Sequence, residues 1–357
     1  MKNLSTHSFE LGAIRPPSEG GSHSLLIRAT RNCPWSRCKF CYGTPYNHEK
    51  FQLRGVEDIK KDIQAAKTIS DEIRQVSWQL GYAGQINNVV GSTIIQREPN
   101  LSESHSFVTV FNWLNSGGRT AFLQDADSLI MRTPDLIEVL KYLRETFPSL
   151  ERITSYARAK TIYRKTLEEL KGIRAAGLNR LHVGLESGDD ELLEHIDKGV
   201  TAKQNIIAGR KAKEAGFEFS AYVMPGLGGP SRSEQHAKNT ARVLNEINPH
   251  YIRFRPFVPR PNTPLFDEYQ SGELQISSPH ERLRELKTMT EALTVTSHVC
   301  FDHMMNAWRK ESGELLFTQD YEGYKFPEEK ERVLELIEEG LRVRESLHID
   351  AKDMVAM

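Results

Sequence analysis

Short apolar segments alternate with amphipathic segments along most of the chain. The first apolar segment, SLLIRAT (24–30), predicts a strand, and GVEDIKKDIQAAKTISDEIRQV (55–76) has apolar residues at helical spacing. Residues 81–105 show no period and are predicted to be irregular, whereas FVTVFNWLN (107–115) fits a strand or a helix. After residue 22, the chain is therefore expected to begin with a strand and then form a long helix.

From residue 120 the alternation becomes regular. The pattern predicts strands at 120–130, ending in an acidic turn, and at 153–158, 181–187, 217–229, with a glycine-rich exit, and 251–258. It predicts helices at 134–147, 166–177, 202–216 and 233–247. Strand and helix alternate about six times, which predicts an α/β fold with a parallel sheet covered by helices. Such a sheet either closes as a full or partial (β/α) barrel or stays open.

The same pattern divides the chain into three segments. Residues 1–22 are polar and rich in proline and glycine, which predicts a loosely held N-terminal arm. Residues 23–264 carry the strand–helix alternation and form the predicted barrel core. Residues 265–357 are predicted to be a mainly helical extension that covers the barrel.

Composition and charge exclude some classes of partner and location. The chain has 357 residues and a formal net charge of −1, so charge indicates no attraction to nucleic acid or to an anionic membrane. No apolar run approaches the ~20 residues of a membrane span. The first residues lack the apolar stretch of a secretory signal. A cytoplasmic protein is therefore expected.

Three of the four cysteines lie in RNCPWSRCKFCYG (31–43), spaced as C-x4-C-x2-C. In a reducing compartment clustered cysteines usually bind metal or do redox chemistry, and soft thiolates suit zinc or iron–sulfur clusters. A structural zinc requires four ligands, whereas three thiolates leave one iron of a four-iron cluster open. The count of three cysteines therefore favours an iron–sulfur cluster over a structural zinc. Zinc with His48 as the fourth ligand and three unrelated thiols remain alternatives.

A strand, a three-cysteine loop with Phe40 before the last cysteine and a following β/α series resemble the radical S-adenosylmethionine (radical SAM) superfamily. Most members have C-x3-C-x2-C, and this loop has one more residue. The resemblance implies a partial (β/α)6 TIM-like barrel and an enzyme with a single [4Fe–4S] cluster. Cys33, Cys38 and Cys41 are its predicted catalytic and metal-binding residues.

The resemblance also implies a reaction. The open iron would chelate S-adenosylmethionine, and one electron would cleave it to a 5′-deoxyadenosyl radical that abstracts hydrogen from an unidentified substrate. A flavodoxin or ferredoxin type of reductant is expected. The implied cofactor-binding residues are Phe40, Asp125, Asp127, Ser155, Arg158, Gly184, Glu186, Met224 and Pro225.

Several of these positions also have a purely structural interpretation. Asp125 and Asp127 suit the cap of the helix near Pro134. Arg158 fits a solvated surface, and Glu186 fits an ion pair inside the barrel. The glycine-rich stretch after Pro225 fits an ordinary tight turn.

Two further groups carry chemistry. Arg253 and Arg255 share one strand face and are candidates to bind an anionic substrate, or to pair with interior acids such as Glu186. Cys300 lies near His298, Asp302 and His303, but a lone cysteine among apolar residues is predicted to be buried in the core. Two alternatives to the enzyme remain, a non-catalytic zinc- or cluster-stabilised binding module and an electron-transfer protein.

Overall fold

A computed structural model describes residues 4–14 and 23–355. Its strands are β1 Leu25–Arg28, β2 Thr30–Arg31, β3 Gln52–Leu53, β4 Thr120–Gln124, β5 Arg152–Ala157, β6 Arg180–Glu186, β7 Glu218–Val223, β8 Tyr251–Phe254, β9 His298–Cys300 and β10 Tyr324–Lys325. Its α-helices are α1 Val56–Gln79, α2 Asn88–Arg97, α3 His105–Asn115, α4 Thr133–Thr146, α5 Ala159–Arg164, α6 Leu167–Ala175, α7 Asp190–His195, α8 Ala202–Glu214, α9 Gly229–Ile247, α10 Pro264–Ser271, α11 Pro279–Ala292, α12 Lys330–Arg342 and α13 Ala351–Val355.

The chain forms two compact units. Unit 1 comprises Met1–Pro34, Glu49–Tyr156 and Glu168–Arg180, and unit 2 comprises Trp35–His48, Ala157–Leu167 and Leu181–Met357.

The sheet of unit 1 is parallel and buried on both faces. Strand β4 lies between β1 and β5, with Leu25 opposite Ala121 and Leu123 opposite Ser155. All side chains of β1 are buried, and so are those of β4 after Thr120. Burial on both faces explains why these strands are continuous apolar runs rather than alternating ones.

The helices of unit 1 agree with the sequence pattern where the run of regularly spaced apolar residues is long. The stripe predicted for the first helix is confirmed, because Ile59, Ile63, Ala66 and Ile69 of α1 are fully buried. The segment predicted from 107 to 115 is a helix, α3, and the side chain of Ser104 caps it.

The prediction of an irregular segment over 81–105 is wrong, because this region contains α2. The Asn87 side chain accepts a hydrogen bond from the Val90 N–H at 3.1 Å, which is an N-terminal cap. Val90 and Ile94 are fully buried on one side of the helix. Two apolar residues four positions apart and one capping residue give only a weak indication of a helix in the sequence.

Residues 4–14 of the predicted arm are attached to unit 1. The Glu10 carboxylate pairs with Arg28 at 2.8 Å, with Arg31 at 2.6 Å and with Arg54 at 3.3 Å. The Phe9 N–H donates to the Ser106 hydroxyl at 3.0 Å. This part of the arm is anchored rather than loose, and residues 15–22 lie outside the described residues.

In unit 2 the strand order is β6-β7-β8-β9-β10. Strands β7, β8 and β9 are parallel neighbours, and β10 is antiparallel to β9. The amphipathic helices α8 and α9 pack beside each other, as α9 does with α11 and α11 with α12. The predicted α/β class, with a mostly parallel sheet and flanking helices, is confirmed.

The C-terminal segment contributes more than helices. Helices α10 to α13 account for much of it, but β9 pairs with β8 and β10 pairs with β9, so the sheet continues beyond residue 265. Strand β9 has three residues and β10 has two. Strands this short carry too few positions for a period of two to be visible.

Candidate active site

The cysteine loop follows β2 and is shaped by local hydrogen bonds. The Cys33 N–H donates to the Asn32 side chain at 2.6 Å. Further along, the Cys41 and Tyr42 N–H groups both donate to the Cys38 carbonyl, at 2.9 and 2.8 Å. All three loop cysteines are thiols and partly exposed. The loop therefore presents three soft sulfur ligands within nine residues.

Cationic groups of unit 2 lie near two of these sulfurs. The charge of Cys38 contributes to raising the pKa of Lys198, and the charge of Cys41 acts in the same direction on the pKa of Arg260. Positive charges stabilise thiolates, and thiolates are the form that binds iron or zinc. In the described residues no three His, Cys, Asp or Glu side chains are already gathered around a metal-sized point. The donor chemistry and its charge environment nevertheless fit an iron–sulfur cluster.

His48, the alternative zinc ligand, is exposed and packs edge-to-face with Tyr42, at 6.4 Å between ring centroids.

Trp35 anchors the longer spacing between the first two cysteines. Its indole N–H donates to the Asp197 carbonyl at 2.7 Å. A Cβ at Gly199 would lie 2.6 Å from the indole ring, so this close approach requires glycine. The guanidinium groups of Arg37 and Arg158 lie 4.8 and 5.0 Å from the ring centroid. The sequence prediction did not include Trp35, although it lies within the extended spacing itself.

Glu186, at the carboxyl end of β6, forms a buried ion pair with Lys198. Their charged atoms are 2.7 Å apart, and the two residues are 8% and 9% exposed. Burial lowers the pKa of Lys198, but the charges of Glu186 and Cys38 outweigh it, and the net pKa lies above its ordinary value. The pair agrees with the ion-pair interpretation of Glu186. The spacing of residues did not indicate Lys198.

Gly184 makes room for this pair. A Cβ there would lie 2.2 Å from a Glu186 carboxylate oxygen and 3.0 Å from the Lys198 Nζ. The Lys198 ammonium also lies 5.4 Å from the centroid of the Phe40 ring, a cation–π contact. Phe40 packs in addition against a buried apolar cluster that includes Met224. Predicted residues from the loop, β6 and the exit of β7 therefore meet in unit 2.

The exit of β7 is held by three neighbouring elements. The Met224 N–H donates to the Glu186 carbonyl at 3.0 Å, and the Phe257 N–H donates to the Pro225 carbonyl at 2.8 Å. His236 of α9 lies 3.2 Å from the Met224 carbonyl through its Nε2.

Glu285 of α11 supports the next residue of this turn. Its carboxylate accepts from the Gly226 N–H at 2.7 Å, and burial raises the pKa of Glu285. Glycine suits position 226 because φ is +80° there. This turn is thus more firmly fixed than an ordinary exposed one. Its buried supports, His236 and Glu285, were not among the predicted residues, because they lie on helices 12 and 59 positions from the turn residues they contact.

Asp125 belongs to unit 1 and is buried against Arg28. Its carboxylate accepts from Arg28 at 2.9 and 2.7 Å and from the Asn32 N–H at 3.3 Å. Burial raises the pKa of Asp125, and the Arg28 charge opposes this rise. Asp127 is buried at the start of a short turn, Ser128–Ile130.

Neither aspartate caps α4, because that helix begins after Arg132 without a side-chain cap. The capping interpretation is therefore wrong. The arginine partner of Asp125 could not be read from a motif, since it lies 97 positions away in sequence.

Ser155 and Arg158 have defined partners. The Ser155 hydroxyl donates to the Tyr156 carbonyl at 2.9 Å. Arg158, in unit 2, donates to the Lys198 carbonyl at 3.0 Å while its guanidinium lies over Trp35. The structure therefore connects Arg158 to the cysteine loop rather than to open solvent.

The two arginines predicted to share a strand face differ in their surroundings. Arg253 is 1% exposed and forms an ion pair with Asp302, and it also donates to the Tyr321 carbonyl at 3.2 Å. Arg255 follows β8 and is half-buried. Neither arginine pairs with Glu186 among the described residues. The arrangement gives Arg253 an internal partner.

The residues around Cys300 do not point to one centre. Cys300 is fully buried, as predicted, and its thiol donates to the Tyr321 carbonyl at 3.4 Å. The His298 imidazole pairs with the Glu322 carbonyl at 2.8 Å, while Asp302 pairs with Arg253. The interpretation of Cys300 as a core residue is confirmed.

Comparison with known proteins adds independent information. The family model of the Radical SAM superfamily matches residues 105–242. Residues 105–242 are similar to members of this superfamily. This match confirms the superfamily resemblance, and the superfamily uses S-adenosylmethionine together with a [4Fe–4S] cluster. The matched residues begin after the cysteine loop, so the C-x4-C-x2-C ligand set stays a prediction.

Two curated proteins are similar to parts of the chain. It is 34% identical over 121 residues, 33% of this chain, to the heme chaperone HemW of Bacillus subtilis (strain 168). It is 26% identical over 234 residues, 63% of this chain, to 4′-phospho-dehydrooxetanocin synthase of Priestia megaterium. The matches span 31% and 27% of those proteins.

Among solved structures, methylornithine synthase (PylB) is similar at a TM-score of 0.45 with 16% identity, covering 79% of this chain and 67% of that one. Within the described ranges, the helices are too short or too polar to cross a lipid bilayer.

Proposed function

We propose that this radical SAM chain is an enzyme that binds one [4Fe–4S] cluster and cleaves S-adenosylmethionine reductively. The observation that carries the proposal is a three-thiol loop next to cationic side chains, in a chain whose residues 105–242 match the superfamily. When bound, the cluster and S-adenosylmethionine supply a 5′-deoxyadenosyl radical that abstracts hydrogen from the substrate.

Cys33, Cys38 and Cys41 are the proposed cluster ligands. Three thiolates bring three negative charges into one loop, which is costly unless cations compensate them. Lys198 and Arg260 supply positive charge near Cys38 and Cys41. Trp35 fixes the extended spacing through its hydrogen bond to Asp197 at 2.7 Å. The protein thereby stabilises the charged form of the ligands and limits movement of the loop.

The proposed cofactor-binding residues keep their assignments from the resemblance. In unit 2, Phe40, Gly184, Glu186, Met224 and Pro225 lie on elements joined by direct contacts, which supports a common role. Backbone groups at the exit of β7 suit contacts to the adenine, because His236 and Glu285 hold this turn in place. The remaining proposed residues are Arg158 in unit 2 and Asp125, Asp127 and Ser155 in unit 1.

The reaction requires an electron donor and a substrate. A flavodoxin or ferredoxin type of reductant is proposed, because such proteins deliver single electrons at low potential. Arg255 remains a candidate to bind an anionic group of the substrate, whereas Arg253 already has Asp302 as its partner.

The experiment that tests this proposal is anaerobic. The purified protein is reconstituted with iron and sulfide, reduced with dithionite, mixed with S-adenosylmethionine and assayed for 5′-deoxyadenosine. The wild type is expected to form it, and Cys38→Ala to form none. A colourless, zinc-loaded wild type would contradict the proposal, and a four-ligand cluster without cleavage would indicate electron transfer.

A further inference from the structure

Two arginines of unit 2, Arg255 and Arg260, follow strand β8. Among residues 4–14 and 23–355, no Asp or Glu forms an ion pair with either guanidinium. Asp302, which lies two residues after β9, pairs with Arg253 instead. Arginine stays charged at all physiological pH values. These two side chains therefore present about two positive charges that no carboxylate of the described residues neutralises, although that of Arg260 also acts on Cys41.

Arg255 lies at the carboxyl end of the unit 2 sheet, and Arg260 lies in the segment that leads from there to α10. Arg255 directly follows β8, and its N–H donates to the Val223 carbonyl at the end of β7 at 2.9 Å. The segment after Arg260 contacts the cysteine loop, because the Leu265 N–H donates to the Lys39 carbonyl at 3.1 Å. In folds of this class ligands bind at the carboxyl ends of parallel strands.

His303, in the loop after β9, lies near the two arginines. The Asn306 side chain donates to the Phe254 carbonyl at 2.8 Å, which brings the loop after β9 to the end of β8. The His303 Nδ1 accepts from the Met305 N–H at 3.2 Å, so the neutral ring carries its hydrogen on Nε2. Burial and the charges of Arg255 and Arg260 lower the pKa of His303 to about 3. The ring is therefore a neutral donor near two cations.

We propose that Arg255, Arg260 and His303 bind a phosphate group of the substrate. A phosphate dianion matches the two positive charges, and its oxygens accept from guanidinium groups and from an imidazole N–H. This inference rests on the proposed function, because the role of the phosphate contacts is to position a substrate for reaction near the cysteine loop. Contacts to a phosphate away from the reacting atoms can do this. The binding itself requires neither reductant nor S-adenosylmethionine.

The test is a calorimetric titration of the reconstituted, unreduced protein with inorganic phosphate. The wild type is expected to bind one phosphate saturably. Arg255→Gln and Arg260→Gln are each expected to weaken binding about tenfold, since each removes a charge-assisted contact. Arg332→Gln, at an exposed position of α12, is the matched control and should bind as the wild type does. Arg255→Lys should retain part of the affinity.

Three results would overturn the proposal. One is the absence of saturable phosphate binding by folded wild type. A second is an equal loss in Arg332→Gln. The third is displacement of phosphate by free methionine, which would assign the arginines to S-adenosylmethionine. A failure of the proposed function shows separately, as wild type that forms no 5′-deoxyadenosine.

Discussion

At the scale of single residues, the site depends on buried charges that have specific partners and on glycines that make room for them. Glu186 and Lys198 pair at 2.7 Å beside Gly184, and Trp35 packs directly on Gly199. An unpaired buried charge costs several kcal/mol, so these contacts act as units rather than as independent side chains. Substitution of one member is therefore expected to affect stability more than its surface area suggests.

Lys198→Met is expected to destabilise the protein by about 3 kcal/mol, because it leaves the Glu186 carboxylate buried without its cation. The measurement is the free energy of unfolding in urea. Lys171→Met is the control, since Lys171 pairs with Glu168 on the exposed surface at 3.3 Å and should cost less than about 0.5 kcal/mol. The double variant Glu186→Gln, Lys198→Met should recover part of the loss. Equal effects of the two lysine substitutions would contradict the importance of the buried pair.

Gly199→Ala is expected to cost more than Gly272→Ala. Both glycines have positive φ, +71° and +83°, so both substitutions carry backbone strain of about 1–2 kcal/mol. Only at Gly199 does the new methyl group meet a ring, at 2.6 Å from Trp35, whereas Gly272 has open space. The additional loss is about 1–3 kcal/mol, measured by urea unfolding. If the two variants unfold alike, Trp35 does not pack as described.

At the scale of elements, short segments are fixed by contacts to other elements rather than by their own propensity. Residues 4–14 contain little regular structure, yet Glu10 connects them to three arginines of unit 1. The exit of β7 is likewise fixed by α9 and α11. The stability of such segments therefore depends on the charge of their partners, and this charge changes with pH.

The Glu10 contacts predict a loss of stability in acid. The pKa of Glu10 is lowered from 4.5 to about 2, and the hydrogen bond from Arg31 is the main cause. The stabilisation is complete above the unfolded pKa and is lost as pH falls from about 4.5 towards 2. Glu10→Gln should be less stable than wild type at pH 7 by about 1–3 kcal/mol.

The difference between the two proteins should shrink as pH falls, which urea unfolding between about pH 5 and 3 would measure. A difference that stays constant over this range would show that protonation of Glu10 is not involved.

At the scale of the whole molecule, the four cysteines divide by environment. Cys33, Cys38 and Cys41 are partly exposed in one loop, whereas Cys300 is fully buried beside Tyr321. Exposed thiolates near cations suit metal binding, and a buried thiol behaves as a small apolar residue. The described cysteines therefore comprise one set of proposed sulfur ligands and one core cysteine.

This division predicts the iron content of cysteine variants. After reconstitution, Cys300→Ala should retain the iron and the visible absorbance of the wild type, with a loss of stability of about 1 kcal/mol from the missing sulfur. Cys33→Ala should lose most of its iron while remaining folded. Iron analysis and the absorbance spectrum measure both. Loss of iron from Cys300→Ala would contradict the core assignment.

The sequence by itself determined the alternation of strands and helices and the grouping of three thiols. Both are local properties, since a helical stripe or a buried strand repeats over a few residues and the cysteines lie within nine. The tertiary structure alone decided the partners of the functional residues. Glu186 meets Lys198 12 positions on, Arg253 meets Asp302 49 positions on, and Trp35 meets Asp197 162 positions on. Periodicity carries no information on such contacts, because they arise when separate elements pack and buried charges must find opposite ones.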